Sequence, residues 1–210
     1  MEILVRLMKK YAKKVIDYVL DFTKSKVPTS MINLAQSLVR LTQAVLVKHK
    51  DDVLVHDNQK ERLCKYIFVF TLTWSLGGNC DDASRALFHE FVALNVLPEV
   101  LDAEDIPNSV YDVCLDFAGI RFVPWTSIRQ DFVFPKEASY FDIMVPTADT
   151  TRYTYLLDVL LTNGHHTLLM GESGVGKSVI VQQFLNKTVA PEDAKFVTAT
   201  SNYSAQTTPK

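Results

Sequence analysis

Gly171-Glu172-Ser173-Gly174-Val175-Gly176-Lys177-Ser178 satisfies the phosphate-binding pattern G-x-x-x-x-G-K-[ST] at every constrained position. Its flanks give the pattern a physical meaning. His166-Thr167-Leu168-Leu169-Met170 is a short apolar stretch that predicts a strand running into the loop. Val179-Ile180-Val181-Gln182-Gln183-Phe184-Leu185 predicts a helix leaving it. A glycine-rich turn lets several backbone N–H groups converge on one anion, and the helix N-terminus adds partial positive charge. Lys177 is then placed to reach the β- and γ-phosphates of a nucleotide, and the Ser178 hydroxyl to help hold Mg²⁺. The competing reading, a chance glycine turn, does not account for both flanks.

Working outward, 32 residues follow Ser178. A nucleotide-hydrolysing site also needs an acidic residue at the end of another apolar strand, and usually an arginine aimed at the γ-phosphate. The strand candidate after the loop, Lys195-Phe196-Val197-Thr198-Ala199-Thr200, ends in Ser201 and Asn202. The chain therefore reads as half of a nucleotide site, a piece of something longer or a loop that binds without turnover.

Composition bounds the rest. Hydrophobic residues make up 48% and charged residues 22% of the 210, ordinary for a packed chain. The net charge of −2 argues against a broad nucleic-acid surface, so no nucleic-acid partner is expected. Cys64, Cys80 and Cys114 form no C-x-x-C pair, and an odd number of cysteines without a secretion signal implies buried, reduced thiols in a cytosolic compartment. His165 and His166 are adjacent and cannot share a helix face as metal ligands. The most apolar run, Tyr66 to Leu76, is 11 residues long, whereas a membrane span takes about 20, so no membrane partner is expected.

The first hundred residues read as helices. Leu4, Leu7, Met8, Tyr11, Val15, Val19 and Phe22 define one face of a first helix, with Lys9, Lys10, Lys13 and Lys14 on a solvated face rather than a membrane-binding one. Leu34, Leu38, Leu41 and Val45 repeat the pattern from Met31 to Val47. A third helix is expected from Asn58 to Leu76, with Asn58 as N-cap, Glu61 three residues on, apolar residues all round, and Gly77-Gly78 as its stop. Asp81 or Asp82 is expected to cap a fourth, with Leu87, Phe88 and Phe91 facing inward. After Val92 the texture changes. Five prolines from Pro98 to Pro146, with Ile120-Arg121-Phe122-Val123, Phe132-Val133-Phe134 and residues 141–145 between them, suggest a connector with short strands crossing between two bodies. Asp149 or Thr150 then opens a helix with a Tyr153, Leu156, Leu157, Leu160, Leu161 stripe, closed by Asn163-Gly164.

In this order the pieces resemble a dynein heavy chain. Phe70-Thr71-Leu72-Thr73-Trp74-Ser75-Leu76-Gly77-Gly78-Asn79 with Arg85 and Phe88 is similar to the helical lid of the second AAA+ module of the dynein ring. Val110-Tyr111-Asp112 with Trp125 is similar to the connector between modules. Asp142-Ile143-Met144-Val145-Pro146-Thr147-Ala148-Asp149-Thr150-Thr151-Arg152-Tyr153, running into the loop, resembles the start of the third module. The loop alone is as close to that of myosin, but nothing upstream resembles a myosin motor.

The resemblance implies an α/β fold with a mostly helical N-terminal half and then the beginning of a P-loop AAA+ subdomain. Residues 1–97 would be the lid-like part, 98–141 the connector, and 142–210 the start of the P-loop subdomain. It implies ATP and Mg²⁺ as cofactors, with Val145, Pro146 and Thr147 near the adenine and residues 171–178 around the phosphates. Arg85 would face a neighbouring module's nucleotide or, on the plainer reading, lie on a helix surface. The implied partners are the other AAA+ modules of the same heavy chain and, only through the intact parent, light and intermediate chains and microtubules. The implied location is the cytoplasm and cytoskeleton, with a lean toward the cilium axoneme. Two alternatives stand beside it: a small P-loop nucleotide kinase, which needs an acidic catalytic strand and a lid of its own, and a non-enzymatic helical interaction module with a vestigial loop.

Overall fold

A computed structural model describes residues 2–129 and 145–188. The expected strand segments 132–134, 141–144 and 195–200 lie outside the described residues.

The N-terminal part of the chain folds as a helical body. α1 (Glu2–Phe22) and α2 (Met31–Lys48) bury most of the faces their periodicity marks, Leu4, Leu7, Tyr11, Val15 and Val19 on α1, and Leu34, Leu38, Leu41 and Val45 on α2, whereas Phe22, expected on the α1 face, ends the helix 66% exposed. Ser30 caps α2 by accepting from the Asn33 amide. A short helix α3 (Lys50–Val55), not foreseen, follows α2. α4 (Lys60–Leu72) is surrounded, as its all-round apolar sequence demands. Its start differs from expectation. The chain makes a 3₁₀ turn over Asp57–Gln59, so the helix begins at Lys60, one residue later, and Asn58 does not cap it. At its other end α4 widens into a π-helical turn, Thr73–Gly77, before Gly78.

Asp81 caps α5 (Asp82–Asn95) by accepting from the Ser84 amide at 2.9 Å, and these bonds hold its carboxyl below the usual aspartate value. Ser84, Phe88 and Val92 are buried at four-residue spacing. Leu87 lies off that line and is 44% exposed, contrary to expectation, because a helix stripe this narrow admits only one residue per turn. The α1 lysines are tied down: Lys10 to Glu99 at 2.6 Å, Lys13 to Asp17 at 2.6 Å, and Lys14 to Asn95 at 2.8 Å.

The segment after α6 (Leu97–Val100) is built into the same core. β1 (Val113–Asp116), unread in the sequence, pairs antiparallel with β2 (Arg121–Pro124), with Cys114 opposite Val123. Ile120, in the hairpin turn, has φ +46°, costly for a β-branched residue, and is held there by burial of its side chain. Trp125 closes the hairpin, its indole N–H donating to the Tyr111 carbonyl at 3.0 Å. It packs edge-on and tilted in an aromatic cluster with Phe70, Trp74 and Tyr155.

α7 (Ala148–Leu161) packs on α2 and on the turn around Trp125. It ends at Gly164, whose φ of +73° fits the expected left-handed cap. α8 (Lys177–Thr188) packs on α7. Among the described residues no helix is long and apolar enough to cross a membrane.

Candidate phosphate-binding site

The loop 171–178 leaves an extended segment and enters α8 at Lys177. Gly174 and Gly176 have φ of +82° and +86°, backbone angles at which a side chain is strained even though open space surrounds both positions. Gly171 has an ordinary backbone angle, and a Cβ there would come within 3.3 Å of the exposed Val175 side chain, a tight contact that a small shift relieves. Gly174 and Gly176 thus shape the loop as the pattern requires. By helix geometry the first N–H groups of α8 have no intrahelical acceptor and are directed toward the loop. The Lys177 ammonium folds back over the loop, donating to the carbonyls of Gly171 at 3.0 Å and Glu172 at 2.5 Å. Glu172, Ser173 and Val175 are exposed, as is Ser178 at the start of α8.

Residues 166–170 form no strand, a correction to the sequence reading. Leu168 is 72% and Met170 57% exposed. A strand is defined by backbone bonds to a neighbour, and no described segment lies beside this one to supply them.

Val145, Pro146 and Thr147 lie just before α7. Thr147 is its N-cap, in a reciprocal capping box with Thr150: the Thr150 amide donates to Thr147 Oγ1 at 3.1 Å and the Thr147 amide to Thr150 Oγ1 at 2.8 Å. The helix therefore starts at Ala148, slightly earlier than expected. Among the described residues no hydrogen bond joins these three residues to the loop. What links the two stretches is packing, Leu157 of α7 against Ile180 and Phe184 of α8.

Arg85 does not lie on an open helix surface, as the plainer reading had it. It is half-buried, lies 5.4 Å from the Tyr111 ring centre, and donates to the Tyr153 hydroxyl at 3.3 Å. It ties α5 to α7. Sequence reasoning also missed the group on the other side of that seam. Arg152 is 7% exposed, sits 5.4 Å from the Trp74 ring centre, and reaches Asp149 at 3.3 Å and Asp112 at 3.9 Å. A charged residue inside the apolar stripe of α7 was the available signal. His49 stacks on Phe117 with ring centres 3.7 Å apart and meets the Tyr155 hydroxyl at 3.0 Å; burial pushes its pKa down, against an upward pull from Asp52.

A glycine loop shaped for an anion, opening a helix that is seated on a helical body, defines the P-loop class with an attached lid. Comparison with known proteins agrees. Residues 4–127 match the dynein heavy chain AAA lid domain, and residues 132–210 match the P-loop containing dynein motor region. The chain is 33% identical, over 98% of its length, to dynein axonemal heavy chain 6 of Homo sapiens. It is 30% identical over 96% to dynein axonemal heavy chain 1 of Mus musculus. It is 29% identical over 88% to the dynein-1-alpha heavy chain, flagellar inner arm I1 complex, of Chlamydomonas reinhardtii. The chain belongs to the dynein heavy chain family. It spans 5%, 5% and 4% of the length of those three relatives. The P-loop motor-region match fits the α/β class expected from the sequence and implies a nucleotide-binding family.

Proposed function

We propose that residues 171–178 bind the phosphates of ATP, as part of a dynein motor ring in which this site is regulatory. The observation that carries the reading is the loop itself: two glycines at positive φ, a helix opening at Lys177, and an ammonium already lying across the loop. The loop fits the group. Lys177 exchanges its two carbonyl acceptors for the β- and γ-phosphate oxygens, Ser178 contributes its hydroxyl to Mg²⁺, and Val145, Pro146 and Thr147 lie toward the adenine. Mg²⁺ supplies neutralisation of phosphate charge. Residues 1–97 then serve as the lid-like part of one AAA+ module, 98–141 as connector, and 142–210 as the beginning of the next. Partners are the remaining AAA+ modules, with light and intermediate chains and microtubules engaged through the whole heavy chain. The location that follows is the cytoplasm and cytoskeleton, in the axoneme. The strand candidate after the loop ends in Ser201 and Asn202, so the 210 residues are expected to bind without turnover.

The test is titration with a fluorescent ATP analogue and Mg²⁺, comparing the chain with Lys177→Ala. A charge-assisted bond of about 1.5–3 kcal/mol corresponds to a loss of roughly 10- to 150-fold in affinity. Unchanged affinity removes Lys177 from the site. Absence of binding by the unaltered chain returns the loop to a vestigial turn.

A further inference from the structure

Five buried polar side-chain atoms have no hydrogen-bond partner among the described residues: Trp74 Nε1, Arg85 Nε, His89 Nδ1, Arg152 Nε and Thr154 Oγ1. Four of these five residues lie where the first turns of α7 meet the helical body. Arg152 and Thr154 are on α7, Trp74 lies beneath Arg152, and Arg85 reaches Tyr153. Buried polar groups are normally paired, so a cluster of exceptions at one seam marks a contact that is incompletely satisfied. Arg152 is its centre. Its side chain is 8% exposed, while the two carboxylates it reaches, Asp149 and Asp112, are 70% and 74% exposed. Its deepest partner is the π-face of Trp74, in the π-helical turn that ends α4.

The other end of α7 is different. Lys48 pairs with Asp158, His49 meets Tyr155 at 3.0 Å, and Asn163 donates to Val159 at 2.7 Å and Ala44 at 3.4 Å. α7 is therefore pinned at its C-terminal half by charged and polar pairs, whereas near its start it is held by Arg152 over Trp74, by Arg85 on Tyr153 and by packing on the turn around Trp125, with the Nε of both arginines unpaired among the described residues. A helix held this way can pivot about the pinned end. Leu157 sits against Ile180 and Phe184, so a pivot of α7 carries α8 and the loop that opens it.

We infer that Arg152 is a positioning residue for the phosphate loop: its seat on Trp74 sets the orientation of α7, and through it the loop and the helical body register each other's state. This rests on the phosphate-binding reading, and the experiment separates the two. In hydrogen exchange without nucleotide, Arg152→Met is expected to raise exchange of the α8 amides at least about tenfold while α1, α2 and α4 keep their protection, and Arg152→Lys, which keeps a cation over the indole, restores it. Unchanged α8 protection, or a loss spread evenly over α1, α2 and α4, overturns the inference whether or not ATP binds. With nucleotide, ATP and Mg²⁺ are expected to shift tryptophan emission in the unaltered chain, and the shift is lost in Trp74→Phe and in Arg152→Met, the latter still binding a fluorescent ATP analogue. Nucleotide that binds without altering emission overturns the coupling.

Discussion

Gly77 gives the sharpest quantitative prediction. It ends the π-helical turn, and a Cβ placed there would stand 2.4 Å from the Tyr111 hydroxyl and 2.6 and 2.8 Å from two carbons of the Phe88 ring. Neither neighbour has room to withdraw: Phe88 is fully buried, and Tyr111 is buried with its hydroxyl donating to the Gly77 carbonyl at 3.0 Å. Gly77→Ala therefore overpacks the core, costing about 1–3 kcal/mol. Moving Tyr111 aside leaves a buried carbonyl without its donor, about 1–3 kcal/mol more. Reduced backbone freedom in the unfolded chain returns about 0.5–1 kcal/mol. The net expectation is a loss of about 1–5 kcal/mol, a large share of the 5–15 kcal/mol typical of a folded domain. Urea unfolding followed by tryptophan emission measures it, since Trp74 and Trp125 lie 6.1 Å apart in the same cluster. Adding Tyr111→Phe removes the shortest contact, so the double variant should lose less than the two single losses summed. A loss for Gly77→Ala below about 1 kcal/mol, or simple additivity in the double variant, refutes the steric argument.

Two further outcomes follow from burial. His49 binds its proton at an ordinary 6.5 when unfolded but is held neutral when folded, chiefly by burial, so its contribution to stability is complete above that value and declines as pH falls below it. His49→Asn should flatten the fall in urea midpoint between neutral and mildly acidic pH, and an unchanged slope removes His49 as its source. The three thiols are buried, with Cys114 pushed up to about 12 by burial and Cys64 and Cys80 also raised. A thiol reagent at mildly alkaline pH should label none in the folded chain and all three in urea, and rapid labelling of the folded chain contradicts the packing around β1 and α4.

Local chemistry made part of this molecule legible. The stripes of α1 and α2, the encasement of α4, the Asp81 cap and the left-handed Gly164 each depend on residues a few positions apart, and each is present in the structure. Errors arose where the outcome depends on distant neighbours. Asn58 has the chemistry of a cap, yet the chain approaching from α3 forms a 3₁₀ turn through it. Gly77-Gly78 was read as a helix stop and the helical run does end there, but the close approach of Tyr111 to Gly77, 34 residues on, was not legible. Residues 166–170 have the composition of a strand, but pairing is a property of two segments.

The amino-acid order alone determined the glycine loop, because its positive φ angles follow from glycine spacing within eight residues. It determined the longer helices α1, α2, α4, α5, α7 and α8 for the same reason of short range. Only the tertiary structure decided that Arg85 reaches from α5 to Tyr153 of α7, that Trp74 lies beneath the buried guanidinium of Arg152, and that the hairpin of β1 and β2 joins the helical core. Those contacts join residues dozens of positions apart, and nothing in a local pattern tells a charged side chain whether it will meet water or an indole face.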